Sequence, residues 1–507
     1  MNKAEQLVQD RIAQARGAQA EWAKFPWHER KRRIYKLVEY LAEHGEGLAA
    51  TISRDNGKTM VDALATEVVP AALAVRYYCK QGMRFMKPQP VKGGSILLAN
   101  KRSVLFYEPF GVVGIISPWN YPFAIPFSEV VMALLAGNGV ILKVASNTLE
   151  VGRALAAAFE SIDLPQGLFH YIEIPGKEAG PAMINGGVDK LFFTGSTAVG
   201  RELMALAAPH LVPLVLELGG ADAAIVRSDA DLDRAAAGLV WAGLSNAGQS
   251  CGGVQRILVH QTIYDEFLGR LSQRVQSLRV GPAFTEGEVQ WACDMGCMTS
   301  LQQKQEVARQ VRACLERGAK IYARSPRGDM DSEDLDFPAL LLTEVGPDMP
   351  IMREEIFGPV MAVVPVADDE EAVAIANNCI YGLTGSVWTR DRRRALELAR
   401  RIRAGAVMIN DHLMSHGLAE TPWGGFGASG LGRTHGELGF REMLQPQVVV
   451  QDLLPGVKKN LWWHPYSRNV FEGLLSILLL TGQRGFRNKI KALGRLVPFF
   501  FRNWDRS

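Results

Sequence analysis

Cys251 stands in Asn246-Ala247-Gly248-Gln249-Ser250-Cys251-Gly252-Gly253, where glycines leave the backbone open to close approach and two polar residues precede the thiol. A free cysteine is commonly a small buried apolar group, but this neighbourhood also suits an accessible thiol that attacks a carbonyl carbon. Asn120 lies in Ser117-Pro118-Trp119-Asn120-Tyr121-Pro122, at the end of an apolar run and pinned between prolines. A rigid amide there can donate a hydrogen bond to a developing oxyanion; the plain alternative is an Asn–aromatic–Pro turn. Glu217 is a lone carboxylate within VPLVLELGG. Burial raises a carboxyl pKa towards a useful general-base value, although a charge paired at an interdomain seam reads the same way. Gly195-Ser196-Thr197-Ala198-Val199-Gly200, between KLFFT and a helical pattern, offers free N–H groups and the positive end of a helix dipole to a phosphate. It is neither GxGxxG nor a Walker loop, because Arg201 stands where the lysine belongs. A glycine-bounded turn of this kind often holds no ligand.

These groups need a scaffold that brings distant positions together, and the patterning supplies one. Residues 3–80 read as helical, with Ile34, Leu37, Val38 and Leu41 at helix spacing. Residues 94–108 read as a β-hairpin around Asn100-Lys101-Arg102. From residue 111 short apolar runs (112–117, 139–143, 169–174, 190–195) alternate with helical stretches, the pattern of a parallel sheet covered on both faces. A second series has strands near 223–226, 255–259 and 360–366. Six cysteines in 507 residues make no disulfide framework. Cys293 and Cys297 lack the further ligands that a structural zinc needs, so no metal is expected.

The set PWNYP, FFTGSTAVG, LELGG, GQSC and EEIFGP, in this order and spacing, resembles the aldehyde dehydrogenase superfamily over about residues 20–455. The resemblance implies an α/β fold with a Rossmann-like parallel-sheet cofactor domain (1–219), an α/β catalytic domain (220–430), and a β-arm for oligomerisation. The arm would combine the hairpin at 90–109 with residues 436–455, and a helical tail would follow at 457–507. It also implies a hydrolytic, NAD(P)-dependent oxidation in which Cys251 forms a thiohemiacetal and then a thioester, Asn120 stabilises the oxyanion, and Glu217 activates water. Carried over by position, Ile116, Ser117, Pro118 and Trp119 would line the cofactor cleft. Lys143 would reach the adenine ribose, Gly195 to Gly200 would flank the pyrophosphate, and Leu218 would lie against the nicotinamide. Glu355 and Phe357 would hold its ribose. The sequence departs from the family after the lysine: Lys143-Val144-Ala145-Ser146 replaces a pattern such as Pro-Ser-Glu. Ser146 cannot repel a 2′-phosphate, so NADP is expected to be tolerated or preferred. The branch that acylates coenzyme A, which typically lacks the carboxylate at Glu217, and a silent scaffold on the same fold are the alternatives.

Family pocket positions fall on Tyr121, Ala124, Ile125, Ser128, Ser250, Gly252 and Trp423, a wall without a cationic clamp, which points to an apolar aliphatic or aromatic aldehyde. The tail supports that choice and resembles the fatty-aldehyde branch. Residues 458–507 hold ten Lys/Arg against Glu472 and Asp505, a net of +8, which leaves −5 for the preceding 457 residues. Phe486, Ile490, Leu493 and Val497 form an apolar stripe beside Arg484, Arg487, Lys489, Lys491 and Arg495, next to the apolar NVFEGLLSILLL. That is the pattern of an interfacial membrane segment; packing on the protein's own subunit or a partner is the other reading. No run reaches the roughly 20 apolar residues of a spanning helix, and the start MNKAEQLVQD lacks a signal peptide's apolar core. The expectation is a cytoplasmic homo-oligomer (dimer or tetramer), with peripheral contact at the inner face of a membrane through the tail. The overall charge of +3 gives no reason to expect nucleic acid as a partner.

Overall fold

The computed structural model describes residues 3–95, 98–456, 463–482 and 486–500. The chain divides into two units, Met1–Lys87 with Tyr107–Gln447 and Pro88–Phe106 with Val448–Ser507. In the first unit, helix Trp27–Asn56 buries Ile34, Leu37, Leu41, Leu48 and Ile52 on one stripe. It stops at Gly57, whose φ of 92° is the left-handed cap that glycine adopts without strain. Thr59 caps the short helix Met60–Ala63 by accepting the Asp62 N–H at 3.0 Å. A π-helical turn, Leu64–Val68, leads into helix Val69–Met86. The wider turn lets Glu67 be fully buried while Leu64 and Val69 stay exposed.

A six-stranded sheet runs in the order Gly430–Leu431, Leu214–Glu217, Lys190–Thr194, Val112–Ile116, Gly139–Lys143, Phe169–Tyr171. Its strands are parallel except the first, which pairs antiparallel with Gly430 opposite Glu217. Val113 and Ile115 pack with Phe127 and Leu134 on one face, while Val112 and Ile116 pack with Ile12, Met183 and Leu203 on the other. Burial on both faces is why the strand appears in sequence as an unbroken apolar run. The second sheet has seven strands, in the order Lys320–Arg324, Leu340–Thr343, Val360–Val366, Val254–His260, Asp222–Val226, Thr384–Trp388, Ala406–Ile409. It too is parallel except at Lys320–Arg324.

The second unit holds the paired strand ends and the tail. Strand Gln89–Val91 pairs antiparallel with Lys101–Pro109, placing Gln89 opposite Leu105 and Val91 opposite Ser103, and Leu444–Asp452 joins the same sheet. The expected hairpin therefore needs correction. Its first strand is shorter and lies earlier, because Gly93 and Gly94 are poor strand formers, and Leu98 to Asn100 form a turn; Ile96 and Leu97 lie outside the described residues. The arm segment at 436–455 is also corrected. Gly436–Arg441 is a helix that buries Phe440 in the main core, and the strand begins at Leu444. In the tail, helices Arg468–Gly482 and Phe486–Phe500 pack on one another, with Val470, Gly473 and Ser476 buried on the first and Ala492 on the second. Lys458, Lys459, Arg484, Arg502 and Arg506 lie outside the described residues. Among the described residues no helix is long and apolar enough to cross a membrane.

Candidate active site

Carboxyl ends of neighbouring parallel strands deliver most of the site. The strand Val112–Ile116 runs into Ser117–Asn120, Lys190–Thr194 into Gly195, and Leu214–Glu217 ends on the carboxylate itself. Cys251 sits just before strand Val254–His260 of the second sheet, so the thiol comes from the opposite wall. Between them lies a cavity of about 250 Å³. Pro118, Trp119, Asn120, Gly195, Ser196, Glu217, Leu218, Cys251, Glu355 and Phe357 line it together. Thr194, Gly219 and Ile356, which lie inside the quoted motifs, and Gln303, Glu306 and Gln310, which no motif marked, complete the wall.

The charged groups are far from their solution behaviour. Burial pushes the Glu217 carboxyl well above its usual range, and the nearby Glu129 carboxylate adds to the shift. Neither Glu217 oxygen has a hydrogen-bond partner, which leaves both free for a water or a thiol proton. Burial also pushes the Cys251 thiol up, helped by the negative charges of Glu355, Asp222 and Glu217, while the Gly252 N–H pulls the other way. The resting thiol therefore keeps its proton at neutral pH, and a base must take it. Burial raises Glu355 to about 8 and Asp222 to about 7. Asp222 accepts from the Thr384 N–H and hydroxyl, both at 2.9 Å. The buried His412 ring lies 3.1 Å from the Gly252 carbonyl and 2.8 Å from Ser386 Oγ, bracing the residue after the thiol.

The wall opposite Asn120 suits an elongated ligand with an anionic middle. Ser196 caps helix Thr197–Ala207, its Oγ accepting the Val199 N–H at 3.4 Å, so the helix begins at the cavity edge. Thr194 Oγ1 is buried without a partner. A Cβ on Gly219 would lie 2.2 Å from Glu355 Oε2, so only glycine lets that carboxylate close over the strand end, where it accepts the Gly220 N–H at 3.1 Å. Trp119 and Phe357 meet edge to face at 5.3 Å. These groups fit a nicotinamide dinucleotide. Not every cofactor position reaches the cavity. Ile116 and Ser117 are buried one step behind it, and Lys143 is buried at its strand end, where desolvation lowers its pKa. Gly200 packs on Leu218. Thr197 donates to the Ala428 carbonyl at 3.0 Å and lines a separate depression with Arg201 and Met204. Ala198, Val199 and Ser146 are exposed.

Tyr121, Ala124, Ile125, Ser128, Ser250 and Trp423 are all buried, and none of them lines the cavity that holds Cys251. Gly252 is held close, since a Cβ there would meet Trp423 Cη2 at 2.6 Å. His416, unmarked in the sequence, joins this buried cluster: its ring lies 5.6 Å from Tyr121, 4.9 Å from Trp423 and 5.3 Å from His435. Burial lowers His416 to about 4 and His435 to about 3, so both rings are neutral at physiological pH.

The family model described as the aldehyde dehydrogenase family matches residues 1–449. A Methylomonas sp protein named 4,4'-diapolycopene aldehyde oxidase is 34% identical over 508 residues, covering 99% of this chain and 93% of the relative. A Mycobacterium ulcerans (strain Agy99) protein carrying the name "Putative succinate-semialdehyde dehydrogenase [NADP(+)] 2" is 36% identical, covering 94% of this chain and 91% of its own. The crystal structure of an NAD-dependent aldehyde dehydrogenase from Sinorhizobium meliloti superposes with a TM-score of 0.83 at 33% identity, covering 91% of this chain and 89% of that one.

Proposed function

The chain belongs to the aldehyde dehydrogenase family and oxidises an aldehyde to the acid with NAD(P), and from that premise we propose that Cys251, Glu217 and Asn120 carry the reaction. The convergence of these three on one cavity carries the reading. Glu217 takes the thiol proton through a water, and the sulfur bonds to the carbonyl carbon. The carbonyl oxygen becomes an oxyanion that accepts from the Asn120 amide and the Cys251 backbone N–H. The bound nicotinamide supplies a hydride acceptor. Loss of hydride from the former carbonyl carbon leaves a thioester on Cys251. Once that first proton has passed to solvent, the Glu217 carboxylate removes a proton from water, which attacks the thioester; the acid leaves, and the Cys251 thiolate takes the proton back from Glu217. A carboxylate at this position favours water over coenzyme A as the acyl acceptor. Leu218, Glu355 and Phe357 hold the nicotinamide end of the cofactor, with Gly195 and Ser196 beside the pyrophosphate and residues 1–219 supplying the cofactor domain.

The substrate we propose is an apolar aldehyde. Tyr121, Ile125, His416 and Trp423 present rings and hydrocarbon, and the His416 ring carries no charge. The cations nearby are engaged: Lys58 pairs with Glu67 at 2.6 Å, and Arg433 donates to the Gly432 and Gly425 carbonyls. The match to the Methylomonas relative covers 99% of this chain, and that protein is named for 4,4'-diapolycopene aldehyde. Exposed Val448, Val449 and Val450 on the arm strand support pairing with a second subunit.

Rapid-mixing kinetics test the assignment. Cys251→Ser should abolish both the burst and turnover. Glu217→Gln should slow both the burst of reduced cofactor and steady turnover about 10²- to 10⁴-fold, because thiol activation and deacylation lose the same base. A medium-chain aliphatic aldehyde should be used with a higher kcat/KM than succinic semialdehyde. Unchanged turnover in Cys251→Ser would refute the thiol's assignment, and the reverse substrate order would refute the apolar pocket.

A further inference from the structure

Behind the cavity, a buried ion pair makes no contact with the reacting atoms yet holds the backbone from which one of them is presented. Lys58 and Glu67 have no exposed side-chain surface, and Lys58 Nζ donates to Glu67 Oε1 at 2.6 Å. Lys58 Nζ also donates to the Asn120 carbonyl at 2.9 Å. Glu67 Oε2 accepts the N–H groups of Phe123 at 2.7 Å and Ala124 at 3.1 Å. The pair thus grips both ends of the turn that carries Asn120. A third group joins it: Asn246 Nδ2 donates to the same Asn120 carbonyl at 2.9 Å and to the Gln249 carbonyl at 3.1 Å. Asn246 sits in the left-handed region at φ 54°, five residues before Cys251. Its one amide therefore ties the oxyanion turn to the nucleophile turn.

Stability alone does not call for this arrangement. Two charges withdrawn from water usually do no better than well-packed apolar side chains of the same volume. A backbone oxygen that accepts two strong donors is, however, fixed in position, and the Asn120 side chain leaves the same residue. Its Oδ1 is buried without a partner, and Asn120 lines the cavity with Cys251. We propose that Lys58, held by Glu67 and acting with Asn246, is a positioning residue that fixes the Asn120 backbone so that its side-chain amide meets the oxyanion formed at Cys251. The proposal rests on the reading of Asn120 as an oxyanion donor.

A double-mutant cycle on the full chain tests it. Lys58→Met/Glu67→Gln removes both charges together, so neither is left buried alone. Misplacing a donor by about an ångström lowers kcat about 10- to 100-fold, and that loss is expected with the KM for NAD(P) unchanged. In an Asn120→Ala background the same pair should cost less than about 3-fold further, because no amide remains to be placed. If the pair turns over at the wild-type rate while Asn120→Ala is slow, the positioning role is overturned and the oxyanion reading stands. If the losses multiply in the combined variant, the ion pair acts independently of Asn120 and the proposal is overturned. If Asn120→Ala itself is as fast as wild type, the oxyanion reading fails and takes the proposal with it. Should the paired variant not fold, Asn246→Gly gives the same cycle, since glycine accepts φ 54° and removes the second donor without touching a charge; an equal loss in both backgrounds then overturns the proposal.

Discussion

Glu129 is a carboxyl that the proposed reaction does not use, yet it lies close enough to Glu217 to oppose its ionisation. It sits on helix Ala124–Ala136 at 2% exposure, one oxygen has no partner, and burial raises it from 4.5 to about 8. The sign of its effect follows. The unfolded chain releases this proton above about pH 4.5 and the folded chain holds it to about pH 8. Its contribution to stability is therefore intact below pH 4.5 and is lost as pH rises through that window. Glu129→Gln should match the wild-type Tm near pH 4.5 and exceed it at pH 8.5, by at least about 1 kcal/mol in unfolding free energy. The ascending limb of its kcat–pH profile should also move to lower pH, because Glu217 no longer ionises beside a second negative charge. Differential scanning fluorimetry and a pH–rate profile check both; a Tm advantage confined to acid pH would contradict the burial argument.

At the scale of elements, the strands that position the site were legible where burial on both faces makes a continuous apolar run, as at Gly139–Lys143 and Val360–Val366. Thr384–Trp388 and Ala406–Ile409 were missed: TGSVW carries polar residues that the fold satisfies through Asp222 and His412, and AVMI is too short to stand out. Cys251, Asn120 and Glu217 could be read because each lies in a compact motif of glycines, prolines or apolar neighbours. Lys58, Glu67 and His416 could not, because their importance arises only from contacts across dozens to hundreds of residues. The turn after Gly139–Lys143 shows what a local departure can still predict. Ser146 is exposed and neutral there. Ser146→Glu should lower kcat/KM for NADP about 10-fold or more while sparing NAD, as a carboxylate opposes a 2′-phosphate. Steady-state assays with both cofactors decide; equal loss with each would place Ser146 away from the ribose.

For the whole molecule, the second unit carries exposed apolar and basic features of its own. On its helix Arg468–Gly482, Phe471, Leu475 and Leu478 are exposed, and on Phe486–Phe500 so are Ile490, Leu493 and Val497. Lys489, Lys491 and Arg495 are exposed on the same helix as the second set. We propose that these apolar rows, together with the tail's net charge of +8, meet an anionic lipid surface rather than a hydrocarbon one alone. Each basic residue near an anionic leaflet adds about 1 kcal/mol and is screened by salt. Peripheral binding of this kind would bring the enzyme to where apolar aldehydes partition. Full-length protein should therefore sediment with vesicles containing phosphatidylglycerol, less with neutral phosphatidylcholine vesicles, and less again in 0.5 M salt. A variant lacking residues 457–507 should stay in the supernatant while keeping kcat for a short water-soluble aldehyde. Its kcat/KM for a long-chain aldehyde offered in vesicles should fall relative to full-length protein. Equal sedimentation of the full-length and shortened proteins would show that the basic tail serves another surface.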